Sequence, residues 1–166
     1  KPEYILNLEA STVLKHILEG KGYKVIMTRE SHDVNISNSE RAIFANNNKA
    51  DMVVRVHADS LNNPGKTGAS ILIPAKESKY TTAIYEDSQN CANLISSKMK
   101  EAGIKVNGVF ERGDLTGFNW SQVPVVLVEM GFLSNYTEDQ MMSNPEYQTK
   151  LMQAISDGLD EYFANK

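Results

Sequence analysis

A chain of 166 residues, 41% hydrophobic and 23% charged, has the length and make-up of one globular domain, with no low-complexity stretch or Pro/Gly-rich linker to divide it. Its net charge of −4 is spread over dispersed lysines rather than a basic stripe, which argues against nucleic acid as a partner, and no apolar run is long enough to cross a bilayer. The lone cysteine, Cys91, rules out an internal disulfide and a CxxC zinc site; beside Leu94, Ile95 and Met99 it reads as a small core residue.

The chain opens on a helix. Pro2 suits a first turn, and Leu6, Ala10, Val13, Leu14 and Ile17 recur at three- and four-residue spacing until Gly20 and Gly22 end the pattern. YKVIMTR, 23–29, reads as a strand, and the turn-rich ESHDVNISNSE follows. Ser37 and Glu40 have capping-box spacing for a short helix through Arg41, Ile43, Phe44 and Ala45, ending in the Asn46-Asn47-Asn48 run. DMVVRVHA, 51–58, reads as a strand, LNNPGKTG as a loop, and ASILIPA, 69–75, as a further strand.

A helix is expected from Asp87 to Ala102, stopped by Gly103, with Cys91, Leu94, Ile95 and Met99 inward. GVFERGDLTGFNWSQ reads as an irregular, loop-rich segment. PVVLVE, 124–129, is a strand, MGFLSNYTED a loop, and a last helix runs from Pro145 to Phe163 with Tyr147, Leu151, Ile155, Leu159 and Tyr162 on one face. Strands alternating with helices predict an α/β fold: a single domain, 1–166, with a mostly parallel twisted sheet and helices on both faces.

Two of these strands end on chemically useful side chains, His57 and Glu129. Ligands of open α/β sheets bind at the carboxyl ends of strands, so an imidazole and a carboxylate delivered there point to one site, that of a metal-assisted hydrolase. A catalytic zinc takes three protein ligands and leaves a position for water, while a separate carboxylate takes the water's proton and passes it to the leaving amine. Glu3, at the margin of the first helix's inward face, is the best further ligand candidate. A first-turn glutamate also complements the helix dipole, and a lone strand-end histidine is commonly just a satisfied polar residue. Glu129 is harder to dismiss, because a carboxylate continuing an apolar run is either exposed or held with a partner in a low-dielectric site.

Six segments, in order and at their spacing, carry a family resemblance: E-x-x-x-N-L at Glu3 to Leu8, G-x-x-V-x-x-T-R at Gly22 to Arg29, R-x-x-x-A-N at Arg41 to Asn46, A-D-x-x-V-x-V-H-A at Ala50 to Ala58, Gly68, and P-x-V-L-V-E-x-G-F-x-S-N at Pro124 to Asn135. Gln148 and Ala154 suit the same pattern's final helix. With these, the chain resembles the zinc-dependent N-acetylmuramoyl-L-alanine amidases of the type 3 catalytic family, peptidoglycan hydrolases of bacterial walls and spores. The resemblance implies Zn2+ as cofactor, Glu3 and His57 as zinc ligands, and Glu129 as the carboxylate that activates water and protonates the leaving nitrogen. The bond cut would be the amide between N-acetylmuramic acid and the L-alanine of the stem peptide. It also implies peptidoglycan as the partner, an extracellular or cell-wall location, and activator or wall-binding domains outside this chain.

The family's other histidine ligand lies in a G-H-G-G segment after an initial strand, and this chain begins downstream of that point; His16 and His32 do not replace it. Weak zinc binding by the 166 residues alone is the expectation. VRVHAD differs from the family's S-I-H-A-N at Arg55 and Asp59. Strand alternation puts Arg55 on the side of His57, where it either meets a substrate carboxylate or pairs with a structural acid, the pairing being favoured.

Glu111, Arg112, Asp114, Asn119 and Trp120 form a candidate substrate wall, with Asn119 and Trp120 as substrate-binding candidates; Trp120 either stacks on a sugar or anchors a loop while half-buried, the anchor being favoured. Arg41 is expected in a scaffold ion pair and Asn46 at a helix C-terminus, while Asp51, Ser134 and Asn135 shape turns. Two rivals share these residues. One is a zinc carboxypeptidase using Arg55 or Arg112 for a terminal carboxylate, and the other a non-catalytic wall-binding module on the same fold.

Overall fold

The computed structural model describes residues 1–32, 36–60 and 62–166. In chain order the elements are α1 (Glu3–Gly20), α2 (Asn38–Asn47), β1 (Val53–Asp59), β2 (Ala69–Pro74), α3 (Tyr85–Glu101), β3 (Val106–Arg112), α4 (Thr116–Asn119), β4 (Val125–Phe132), α5 (Tyr136–Met142) and α6 (Pro145–Ala164). The four strands form one sheet in the order β1-β4-β2-β3. β1 runs parallel to β4 and β2 parallel to β3, while β2 meets β4 antiparallel. The expected α/β fold with a mostly parallel sheet is therefore the fold observed.

Strand alternation sends β4's side chains to two different cores. Val126, Val128 and Met130 join the larger core with Leu6, Ala10 and Leu14 of α1, Ile95 and Met99 of α3, and Leu151 and Ile155 of α6. Val125 and Leu127 point the other way, into a smaller core with Ile84 and Phe118. An apolar run buried on both faces is what a central strand requires, and β4 is flanked by β1 and β2. Cys91 is fully buried in the larger core, where burial pushes its thiol up to about 12. Among the described residues no helix is long and apolar enough to cross a membrane.

Local chemistry fixes the helix starts. Ser37 caps α2, its hydroxyl accepting from Glu40 N at 3.2 Å and donating to the Glu40 carboxylate at 3.0 Å. Asn144 caps α6 by accepting from Glu146 N at 2.8 Å and Tyr147 N at 3.3 Å, with Pro145 in the first turn.

Three expectations are corrected. Residues 23–27 adopt no regular secondary structure, so YKVIMTR is not a strand. It has no ladder partner among the described residues and is tied down by side chains instead: Tyr23 and Val25 pack on the larger core, and Tyr23 donates its hydroxyl hydrogen to Asp160 Oδ1 at 2.7 Å. The segment from Gly108 to Gln122, read as irregular, contains most of β3 and all of α4. MGFLSNYTED, read as a loop, extends β4 to Phe132 and begins α5, which Asn135 caps by accepting from Glu138 N at 3.0 Å.

Candidate active site

Arg55 and His57 alternate with Val54, Val56 and Ala58, whose side chains belong to the larger core, so both project from the opposite face of β1. On the neighbouring strand Leu127 and Glu129 share that face, and the parallel register sets Arg55 opposite Leu127 and His57 opposite Glu129. The antiparallel register places Ser70 on the other side of Glu129. The imidazole and the carboxylate are thus side by side at adjacent strand ends.

α1 adds a third group. Glu3, in its first turn, brings Oε1 to 3.1 Å from His57 Nδ1, and Asn7 one turn later donates to the same oxygen at 3.3 Å. His57 is held below the usual imidazole range, first by burial and then by the positive Arg55, against the opposing pull of Glu3. A neutral imidazole with a free lone pair is the form that binds a metal. Glu129 is pushed up to about 7, by burial first and then by the negative charges of Asp59 and Glu3, with Arg55 and Arg112 opposing. Among the described residues its buried Oε2 has no hydrogen-bond partner, an arrangement that costs stability.

The residues present suit zinc. Imidazole nitrogen and carboxylate oxygen are its preferred donors, and two donors at about 2.0–2.2 Å from a tetrahedral ion stand about 3.4 Å apart, close to the Glu3–His57 separation. Among the described residues there is no group of three His, Cys, Asp or Glu side chains arranged to hold a metal ion. The chain offers two adjacent donors and a separate carboxylate.

Among the described residues no carboxylate forms an ion pair with Arg55. Its Nη2 donates to Asn38 Oδ1 at 2.9 Å, and the guanidinium lies against the backbone of α4 at Gly117, where a Cβ would collide with Nη1. Burial and the neighbouring Arg41 pull it below its usual range, with Glu129 opposing. Arg41 makes no scaffold ion pair among the described residues, and its Nε is buried without a hydrogen-bond partner. Asn46 reaches across to the chain before β4, donating to Trp120 O at 2.9 Å and accepting from Gln122 N at 2.8 Å.

The residues of the candidate substrate wall bond to one another and to nearby groups. Arg112 grips Asp114 through two bonds of 2.8 Å, and Glu111 accepts from Lys76 N and from the Tyr85 hydroxyl. Asn119 donates to Gly113 O at 3.0 Å, which closes its own loop. Trp120 is 55% exposed, and its backbone carbonyl accepts from Asn46. From this segment the cleft beside His57 takes Gly117 and Ser121. The rest of that cleft includes Arg29, Asn38, Arg41 and Arg55, of which sequence reasoning singled out only Arg55 as facing a substrate. Arg29 closes one of the family segments in the sequence and Arg41 opens the next, but nothing local shows that they and Asn38 of α2 meet Arg55 of β1, which happens only on folding.

The family model described as N-acetylmuramoyl-L-alanine amidase matches residues 1–161. A probable cell wall amidase, LytH, of Staphylococcus saprophyticus is 28% identical over 163 residues, which is 98% of this chain and 50% of that protein. The chain spans about half the length of the curated relatives it matches first. Among solved structures, the N-acetylmuramyl-L-alanine amidase Ami1 of Mycobacterium smegmatis superposes with a TM-score of 0.91 at 25% identity, covering 99% of this chain and 78% of that one. An N-acetylmuramoyl-L-alanine amidase of Clostridium difficile 630 gives a TM-score of 0.89 at 28% identity, covering 100% and 86%.

Proposed function

The chain belongs to the type 3 family of N-acetylmuramoyl-L-alanine amidases, and from that membership we propose that it hydrolyses peptidoglycan at the amide joining the lactyl group of N-acetylmuramic acid to the L-alanine of the stem peptide. The observation that carries this reading is the 3.1 Å approach of Glu3 Oε1 to His57 Nδ1 beside a carboxylate, Glu129, that occupies the register position opposite His57 and keeps one oxygen bare. Glu3 and His57 hold zinc, with Asn7 steadying the Glu3 carboxylate. When bound, the metal supplies Lewis-acid polarisation of the scissile carbonyl and acidifies water.

Glu129 carries the proton. Its Oε2 takes a proton from the attacking water as the new C–O bond forms, and gives it to the alanine nitrogen as the C–N bond breaks. The products are a lactyl carboxylate and a free alanine amine. The smaller core beneath the site, with Leu127 and Phe118 buried, excludes water from below and keeps the carboxylate in a low-dielectric setting. The place of action is the cell wall, outside the cytoplasm, in keeping with the cell wall amidases among the relatives.

The test is Glu129→Gln in the full-length protein, followed by zinc content and muropeptide hydrolysis. Zinc is retained while turnover falls by about 10²–10⁴-fold, the usual range for loss of a general acid–base group. Unchanged turnover removes Glu129 from this role. Release of a terminal amino acid instead of a lactyl carboxylate assigns the site to a carboxypeptidase.

A further inference from the structure

We propose that Phe110, on the side of Glu129 away from His57, is the platform on which the muramoyl sugar ring of the substrate stacks, so that the protein reads the glycan as well as the bond it cuts. This deepens the amidase reading and rests on it. The strand registers carry one row of residues across the sheet: His57 stands opposite Glu129, Glu129 opposite Ser70, and Ser70 opposite Gly108. Directly paired residues share a face, and so does Phe110, two residues beyond Gly108 on the same strand. Ile71, Ile73 and Val109 point the other way, into the larger core.

A lone exposed phenylalanine is ordinary on a protein surface; this one is distinguished by its place and its pose. A Cβ on Gly108 would stand 3.1 Å from Cζ of Phe110 and 3.5 and 3.6 Å from its two Cε atoms, so the ring lies back over the glycine, toward the row that holds Glu129. The ring is still 47% exposed, while Leu72, its partner on β2, packs on the smaller core. Strands stand about 4.8 Å apart, which puts Gly108 two spacings, about 10 Å, from the backbone at Glu129. That span has room for a lactyl arm and one pyranose ring.

The sugar is favoured over the peptide by charge. Between Glu129 and Phe110 the floor is Ser70 and Gly108, small and uncharged, with the half-buried Ser70 hydroxyl able to donate or accept. A pyranose offers an apolar C–H face for the aromatic ring and a rim of hydroxyls for the serine, and in the uncut substrate the lactyl carboxyl of muramic acid is tied up in the amide. The stem peptide brings free carboxylates, yet Arg112, on the same face, is already closed on Asp114 by two bonds of 2.8 Å.

The experiment uses an N-acetylmuramoyl dipeptide and the matching lactyl dipeptide, which keeps the scissile amide and lacks the sugar. Their affinities are measured by calorimetry on the full-length Glu129→Gln protein, alone and combined with Phe110→Ala or Phe110→Tyr. Phe110→Ala weakens the muramoyl dipeptide about tenfold and leaves the lactyl dipeptide within about twofold, whereas Phe110→Tyr, which keeps the ring, keeps the preference for the sugar. In turnover by the Phe110→Ala protein with Glu129 intact, the loss on the muramoyl dipeptide falls on KM rather than kcat. Each variant's two affinities are compared with one another, so a loss of folded protein lowers both stoichiometries alike and leaves the ratio decisive. Equal affinity for the two ligands before any substitution at Phe110 overturns the platform, as does an unchanged ratio in Phe110→Ala; equal weakening of both ligands reassigns the ring to the peptide. A sugar preference that Phe110→Ala abolishes, with no hydrolysis of either ligand by the unsubstituted protein, upholds the platform and refutes the amidase reading alone.

Discussion

A Cβ on Gly131 would stand 2.9 Å from Oε1 of Glu138, so the glycine is what lets this carboxylate fold back over the end of β4. There Glu138 accepts from Phe132 N through Oε1 and from Gly68 N through Oε2, each at 2.9 Å, and so ties the end of the Glu129 strand to the start of β2. Glu138→Ala leaves two backbone donors without their acceptor and is expected to cost about 1–3 kcal/mol in urea unfolding. Gly131→Ala is expected to cost a similar amount by crowding the same carboxylate. The two are not additive: in a Glu138→Ala background the added methyl meets less resistance, and a double-mutant cycle should give a coupling above about 0.5 kcal/mol. Simple additivity would show that the glycine and the carboxylate are independent.

Asn46 is the second tie. Its amide bridges Trp120 O and Gln122 N, which fastens α2 to the segment that enters β4. Asn46→Ala removes both bonds, with an expected loss of about 1–3 kcal/mol. Asn46→Asp keeps the acceptor for Gln122 N but turns an oxygen toward the Trp120 carbonyl. Its midpoint in urea should fall below that of the native protein, and a midpoint equal to the native value would mean that the Trp120 contact contributes nothing.

How much of this was legible beforehand follows from what each segment buries. α1, α3 and α6 show themselves because each buries one stripe of apolar residues in the larger core, and β4 because it buries both faces. β3 hides because it is an edge strand with a glycine at φ 150° and a largely exposed second half, so neither apolar alternation nor a run is present. The start of α5 is written in the sequence as Asn135 followed three residues later by Glu138, a capping spacing that the overlapping family motif masks. YKVIMTR has strand propensity but no ladder partner among the described residues, and propensity without a partner does not make a strand. His57 and Glu129 were visible as strand ends, whereas the arginine cleft was not, since Arg41 and Asn38 arrive on α2 and Gly117 on α4.

Acid should release a contact far from the site. Asp160 is held below the ordinary 3.8: burial alone would raise it, but hydrogen bonds from Lys21 and Tyr23 and the lysine's charge outweigh that. A depressed carboxylate stabilises the fold fully above its unfolded value and loses that contribution as the pH falls through the folded one. The difference in melting temperature between the native protein and Asp160→Asn should therefore be largest above pH 4 and shrink as the pH drops below 3.8. A constant difference across that window would mean that the cluster holds residues 21–23 to α6 by shape rather than charge.

Zinc, if Glu3 and His57 hold it, must also stabilise the fold, because a ligand that binds only the native state adds RT ln(1 + [L]/Kd). The two donors come from different elements, α1 and β1, so the ion would bridge the start of the chain to the sheet. At free zinc about 100-fold above its dissociation constant the gain is about 2.7 kcal/mol, or about 5–10 °C in melting temperature for a domain of this size. His57→Ala and Glu3→Ala should each shrink the shift, while Glu129→Gln, which removes charge from outside the ligand pair, should keep most of it. Asn7→Ala falls between, since it frees the Glu3 carboxylate without removing a donor. A shift of equal size in all four variants and the native protein would place the ion elsewhere, and no shift at all in the full-length protein would leave the Glu3–His57 contact as a structural hydrogen bond.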